Sequence, residues 1–267
     1  MSEARKVVIS SLTKKYLMAG SGLFLVLFIL GHMLGNLQFF LGPDVINSYA
    51  YHLHHLPGHP FSLWAIRLVL LGCLAVHVWM AILLTTENKR ARGPDAYAQK
   101  HSNVATYAAR TMPVTGVVIL AFIVLHILQF TTRVVPEDYN KTIGEASIEV
   151  AHVQIQAFDV FAMMVDGFSE PLFSIIYIVA VALLCMHLSH GVASMFQSFG
   201  FRNEIWRKRL NVIAHGFGWI IFLGFASIPA SVMVFGFGKS YLAEMEQKWA
   251  SQPPLVSTAA VADNKSH

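Results

Sequence analysis

Four histidines, His32, His77, His126 and His187, stand one apiece in the first four long apolar stretches of the chain, with His190 one helical turn beyond His187. An ionisable side chain inside a bilayer is costly, so each of these needs a reason to be there. One such histidine alone reads most simply as a packing residue hydrogen-bonded to a neighbouring carbonyl. One on each of four consecutive stretches points to ligation. Imidazoles facing each other in pairs are what a low-spin haem iron takes, one on each face. A zinc site would want four ligands at one depth, and a copper site would usually recruit sulfur. The two cysteines, Cys73 and Cys185, lie far apart inside apolar runs, which excludes a disulfide framework and leaves neither placed as a third ligand. No C-x-x-C-H motif is present, so a haem would be held without thioether links.

The elements that must position these side chains are membrane spans. Of the 267 residues, 55% are hydrophobic and 13% charged, and the mean hydropathy is +0.54. A water-soluble domain carries about a quarter charged residues, so this chain cannot cover a water-facing surface. The net charge of +4 is for the same reason no sign of a nucleic-acid partner. Charge-free runs long enough to cross the hydrocarbon, which takes about 20 residues, predict five spans at about 16–41, 63–86, 105–132, 171–198 and 210–237. Their continuous apolar character excludes the alternation of barrel strands. The first run is too long for a signal peptide and lacks a small-residue cleavage site, so it reads as a mature helix. The expected fold is all-α, with five transmembrane helices, the first four forming a bundle around two haems. The whole of residues 1–240 makes one integral-membrane domain. Within the loop from Val134 to Glu170, a further helix is expected at about 148–165, lying over the bundle, and the tail 249–267 is expected to be disordered.

Loop charges set the direction. Arg5, Lys6, Lys14 and Lys15 precede the first span; Lys89, Arg90, Arg92 and Lys100 follow the second; Arg202, Arg207, Lys208 and Arg209 follow the fourth. The first-to-second loop has no Lys or Arg between Asp44 and Ser62, and the third-to-fourth loop sets six acidic residues against Lys141. Basic loops stay in the cytoplasm, which puts the N-terminus inside and the C-terminus outside. Depth then pairs the histidines. His32 lies about 15 residues into its span, roughly 22 Å, and His126 about 14 residues into the third, so both fall in the outer half. His77 comes about 8 residues before the inner end of the second span, and His187 about 10 to 12 before that of the fourth. The outer pair is therefore His32 with His126. The inner pair is His77 with His187, or with His190 in place of His187.

Other residues carry weaker signals. Gly31, Gly35, Gly72, Gly116 and Gly191 leave gaps that suit a flat macrocycle, or equally helix–helix contact. Arg67 and Arg133 outside and Arg110 inside could meet haem propionates or simply snorkel. The cluster His52, His54, His55 and His59 reads as interfacial histidines in a loop broken by Pro57 and Gly58. His215 reads as structural or near a partner surface, and His101 as a loop residue. Asn36, Gln38 and Gln129 are polar residues near the outer pair. None of the five spans carries Asp or Glu, so no carboxylate proton relay is visible within the membrane.

Span one reads GLFLVLFILGHMLGNLQFFLG, span two LAVHVWMAILLTTENKRARGPDAY, span three MPVTGVVILAFIVLHILQF, and span four exits through HLSHGVASMFQSFG. On these stretches, over about residues 14–237, the chain resembles the single-subunit, two-haem cytochrome b anchors of succinate:quinone oxidoreductases and the related quinol:fumarate reductases. The resemblance is to the longer bacterial succinate dehydrogenase form. It implies one haem ligand on each of the first four spans. In that family the last ligand is followed by glycine four positions on, which His187 with Gly191 matches and His190 with Ser194 does not. It further implies two haem b groups, the inner one nearer the iron–sulfur subunit, and a quinone as substrate in the bilayer, for which Asn36, Gln38 and Gln129 are candidate contacts. The implied partners are a cytoplasmic flavoprotein and an iron–sulfur protein docked on the basic inner loops, together with membrane lipid, and the whole complex could oligomerise. The implied location is the bacterial cytoplasmic membrane. No flavin or dicarboxylate site is legible here, so succinate chemistry would belong to the partners. Cytochrome b subunits of hydrogenases, formate dehydrogenases or nitrate reductases fit the one-ligand-per-span order less well, and a haemless anchor or transporter remains the reading from a different class.

Overall fold

The computed structural model describes residues 9–92, 107–135, 143–150, 152–201 and 203–251. It is mostly helical. Helix α1 (Ser11–Leu37) runs into a 3-10 turn (Gln38–Leu41) and is followed by α2 (Pro43–His54) and α3 (Phe61–Arg92). Helix α4 (Tyr107–His126) continues as a π-helical turn (Ile127–Thr131). A hairpin of β1 (Glu145–Val150) and β2 (Val153–Phe158) precedes α5 (Val160–Ser169), α6 (Pro171–Ser198), α7 (Glu204–Phe235) and α8 (Lys239–Ser251). Five stretches are long and apolar enough to cross a membrane: Ser11–Leu41, Phe61–Ala91, Thr111–Thr131, Pro171–Ser198 and Ile205–Phe235. Leu27, Leu68, Leu71, Val117, Val179, Ile220 and Leu223 stand exposed along them, a surface that suits lipid and not water.

Local chemistry marks the helix ends. Ser10 Oγ accepts from Thr13 N at 3.1 Å to open α1, and Asn203 Oδ1 accepts from Trp206 N at 2.9 Å to open α7, each satisfying an amide that a helix start leaves orphaned. Pro43 and Pro171 occupy first helical positions, where a missing N–H costs nothing. Gly236, at φ 66°, ends α7 in the left-handed conformation that glycine adopts without strain.

Helix α1 packs against α3, α6 and α7; α6 packs along α7 and against α4. Among the described residues α3 and α4 make hardly any contact with each other. The most densely buried region lies at one end of the long helices. There Phe39, Ile46, Phe161, Met164, Val165 and Phe168 pack with Tyr177, Val232 and Leu242. This end is capped by α2, the hairpin, α5 and α8.

The cap is knotted by polar groups out of water. Asp159, fully buried, accepts from Asn47 Nδ2 at 3.0 Å, from Ala162 N at 2.9 Å and from Tyr241 Oη at 2.7 Å. Asn47 Oδ1 accepts from Phe161 N at 3.0 Å, so the one-per-cent-exposed asparagine uses both ends of its amide. Burial first, and then the Asp159 carboxylate, push the Tyr241 phenol well above its usual range, so it keeps its proton as donor. Trp249 Nε1 donates to Glu145 O at 3.0 Å, with its ring laid on Gly144, where a side chain would collide.

Two expectations need correction. The helix expected at about 148–165 is a strand pair up to Phe158, and helix begins only at Val160, which adds one hairpin to an otherwise helical set of described elements. Glu145, Ser147 and Glu149 face out while Ala146 and Ile148 are buried. That is a period of two, with Ile148, Val150, Val153 and Ile155 supplying β-branched side chains, and it outweighs the looser helical spacing. Asp159 then caps α5. The histidine cluster is also less loop-like than expected: His52 and His54 lie on the last turn of α2, with only His55 and His59 beyond it. As for the tail expected at 249–267, α8 runs through Ser251, and residues 252–267 lie outside the described residues.

Candidate functional site

Helix α1 carries His32 five residues from its end, α4 carries His126 as its last residue, and the two rings meet at the capped end of the molecule. Their centroids are 5.6 Å apart and nearly perpendicular, at 82°. Phe28 stacks on His32 at 5.3 Å, and Phe225 lies 5.8 Å away. His126 sits among Phe122, Phe130 and Tyr177, with its Nδ1 3.3 Å from the Tyr177 hydroxyl. Tyr177 is itself enclosed edge-on by Phe122, Phe130 and Phe168. The helix changes from α to π immediately after His126, the kind of break that helices often carry at functional positions.

The second pair joins α3 and α6. His77 and His187 have ring centroids 6.4 Å apart at 59°. His77 Nδ1 lies 3.2 Å from the Met18 carbonyl, and His187 Nδ1 lies 3.3 Å from Thr115 Oγ1. The Thr115 hydroxyl in turn donates to Met112 O at 3.1 Å. A Cβ built on Gly22 would come within 3.2 Å of the His77 ring, and one on Gly116 within 3.7 Å of His187. These glycines fix the level of the pair on α1 and α4. From Gly22 to His32, and from Gly116 to His126, is ten residues, or about 15 Å of helix either way. The two pairs therefore sit at two levels, the same distance apart on two separate helices.

Both pairs fit an iron held from two sides. Metal–imidazole bonds of about 2 Å, with about 1 Å more from nitrogen to ring centre on each side, place two ring centres about 6 Å apart. The measured separations lie on either side of that value. Gly31, Gly72 and Gly191 are not helix contacts: a Cβ on any of them would meet no heavy atom within 4 Å. Gly35 is a contact, its Cβ position lying 2.6 Å from the Tyr49 hydroxyl. His190 turns to Ser194 Oγ at 3.0 Å, and it is His187 whose ring faces His77.

The remaining candidates are spread around these pairs. Asn36 Nδ2 approaches the His32 ring at 3.3 Å while donating to its carbonyl at 2.7 Å. Gln129, in the π turn, is fully buried, and Gln38 opens the 3-10 turn half-buried. Arg67 lies over Trp64 and Arg133 over Phe158. Burial first, then the charges of Arg67, His55, Arg133 and His59, hold His54 below the ordinary imidazole range. Both guanidinium groups are thus within electrostatic reach of His54 at the capped end. His55 stacks between Tyr51 and His59. His215 donates Nδ1–H to the Asn211 carbonyl at 2.7 Å. His101 and the Arg110 side chain lie outside the described residues. Lys14, among the basic residues expected on an inner surface, is instead buried in an ion pair with Glu87 that ties α1 to α3.

Gly22, Thr115 and Tyr177 were not legible beforehand. Gly22 had one available signal, the small-residue run Ala19–Gly22 in span one. The other two look like ordinary span residues until the helices are rotated into place. No family profile matches the chain, and comparison with curated proteins and with solved structures returns no match.

Proposed function

We propose that this chain is a dihaem cytochrome b that anchors a succinate:quinone oxidoreductase in the bacterial cytoplasmic membrane. In this reading it carries electrons between an iron–sulfur subunit and a quinone. The observation that supports it is the pairwise meeting of four span histidines, one from each of four long apolar helices, at iron-bridging separations and at two levels. His32 and His126 hold one haem b, and His77 and His187 the other. When bound, each haem iron accepts and returns one electron. The protein's part is to present two imidazole nitrogens per iron, to leave room beside the rings through glycine, and to close the His32–His126 level against water with the aromatic cap. The apolar faces of the long helices meet lipid, the N-terminus lies inside and the C-terminus outside. A flavoprotein and the iron–sulfur protein dock on the inner face, and succinate chemistry belongs to them.

The purified chain should give a reduced-minus-oxidised b-type spectrum with two haems per polypeptide, and a blank spectrum ends the reading. His77→Ala should lose one haem and keep the other, and His32→Ala should do the reverse. Loss of one ligand from each haem in either variant would show the pairing to be wrong. Co-purifying succinate dehydrogenase activity separates this assignment from cytochrome b subunits of other quinone-linked enzymes.

A further inference from the structure

An imidazole that gives one nitrogen to a metal must carry its proton on the other, and the group that accepts that proton fixes the ring's rotation and strengthens it as a donor. The four histidines differ in what stands at that second nitrogen. The Met18 carbonyl can only accept, so His77 bears its proton on Nδ1 and keeps the Nε2 lone pair for a metal. Thr115 reaches the same result by a different route. Its hydroxyl proton is directed at the Met112 carbonyl, which leaves its oxygen to accept from His187 Nδ1–H. Thr115 is 4% exposed, so water does not compete for that oxygen. At the other level the Tyr177 oxygen stands 3.3 Å from His126 Nδ1 and is held in place by three aromatic rings. At His32 the nearby side chain is the Asn36 amide nitrogen, a donor.

We infer that Thr115 and Tyr177 are positioning residues, each orienting one haem-ligand histidine and tuning one haem: Thr115 through His187 and Tyr177 through His126. The inference rests on the dihaem reading above. Met18 does for His77 with its backbone what these two do with side chains, so only the side-chain pair can be tested by substitution. Removing the acceptor makes the imidazole a weaker donor, which favours reduced over oxidised iron and raises the midpoint potential. It also loosens retention of the group by about ten- to a hundredfold.

The test uses the full chain in isolated membranes, with haem content, potentiometric titration and low-spin electron paramagnetic resonance as readouts. The two haem signals are assigned by which one His77→Ala and His32→Ala each remove. Thr115→Val should raise the midpoint and shift the resonance of the haem that His77→Ala removes, and leave the other unmoved. Thr115→Ser, which retains the hydroxyl, should match the wild type. Tyr177→Phe should shift only the haem that His32→Ala removes. If the valine variant fails to accumulate, Thr115→Ala carries the same expectation. Unmoved potentials and resonances in Thr115→Val and Tyr177→Phe at full haem content overturn the inference, as would both variants acting on one haem. A wild-type chain without haem overturns the dihaem reading itself, whereas a dihaem wild type with unmoved variants overturns this inference alone.

Discussion

At the level of single residues, the histidines could be picked out because one imidazole in each of four consecutive charge-free runs is more than packing calls for, and their levels follow from counting along spans whose direction is read from loop charge. What counting does not give is rotation about the helix axis. His187 and His190 are one turn apart and equivalent by depth, and only the packed structure turns His187 to His77 and His190 to Ser194. Rotation also decides the glycines. Gly35 and Gly72 look alike in sequence, yet one lies against Tyr49 and the other faces open space. Gly22 lies closer to a paired histidine than Gly116 does, and a methyl group there must displace the His77 ring by a few tenths of an ångström. On the dihaem proposal, Gly22→Ala should therefore disturb the haem that His77→Ala abolishes, with a shifted resonance or partial occupancy, and leave the second haem intact. Haem quantitation and resonance on the same membranes check this, and Gly216→Ala, with no atom in reach and no part in either pair, serves as the silent control.

Among the elements, the long helices were legible and the cap was not. Continuous apolar runs bounded by charge have one stable solution in lipid. The cap is built from short pieces whose stability is tertiary. Helix α2 runs over only 12 residues, too few to hold alone in water. The β1–β2 hairpin is marginal by itself, and its alternation was masked because apolar positions of a strand and of the following helix can be threaded onto one loose helical spacing. Within the cap, Asp166 on α5 sits near Glu246 of α8 and Glu170. Burial first, and then those two carboxylates, raise its pKa. A carboxyl with a raised folded pKa binds more protons in the native state, so its destabilising charge is fully felt above the raised value and disappears as pH falls towards the ordinary aspartate range. Asp166→Asn should therefore stabilise the cap at neutral pH, by less than about 1 kcal/mol for a half-buried group. The gain should vanish in acid. Thermal melts of the detergent-solubilised variant and wild type across that range check the sign; a gain that grows in acid would contradict it.

For the molecule as a whole, the five long helices follow from composition, but the way they pack does not, because an apolar helix face reads the same whether it meets lipid or another helix. Gly218 and Gly224 of α7 lie tight against Cys185 of α6 and Met33 of α1, and nothing in sequence separates them from Gly216, which has open space. Direction across the membrane rests on loop charge. A reporter active only outside the cytoplasm should work when fused behind α8 and stay silent in the connection between α3 and α4, whereas the opposite pattern would invert the arrangement. The buried carboxylate at Asp159 carries a last consequence. Its partners Asn47 and Tyr241 lie 112 and 82 positions away along the chain, so during synthesis the acid must wait, short of one donor, until the ribosome has delivered α8. Closure of this end therefore cannot precede the synthesis of α8, and a nascent chain stopped after α7 would already hold its four span histidines yet still lack one donor of its seal.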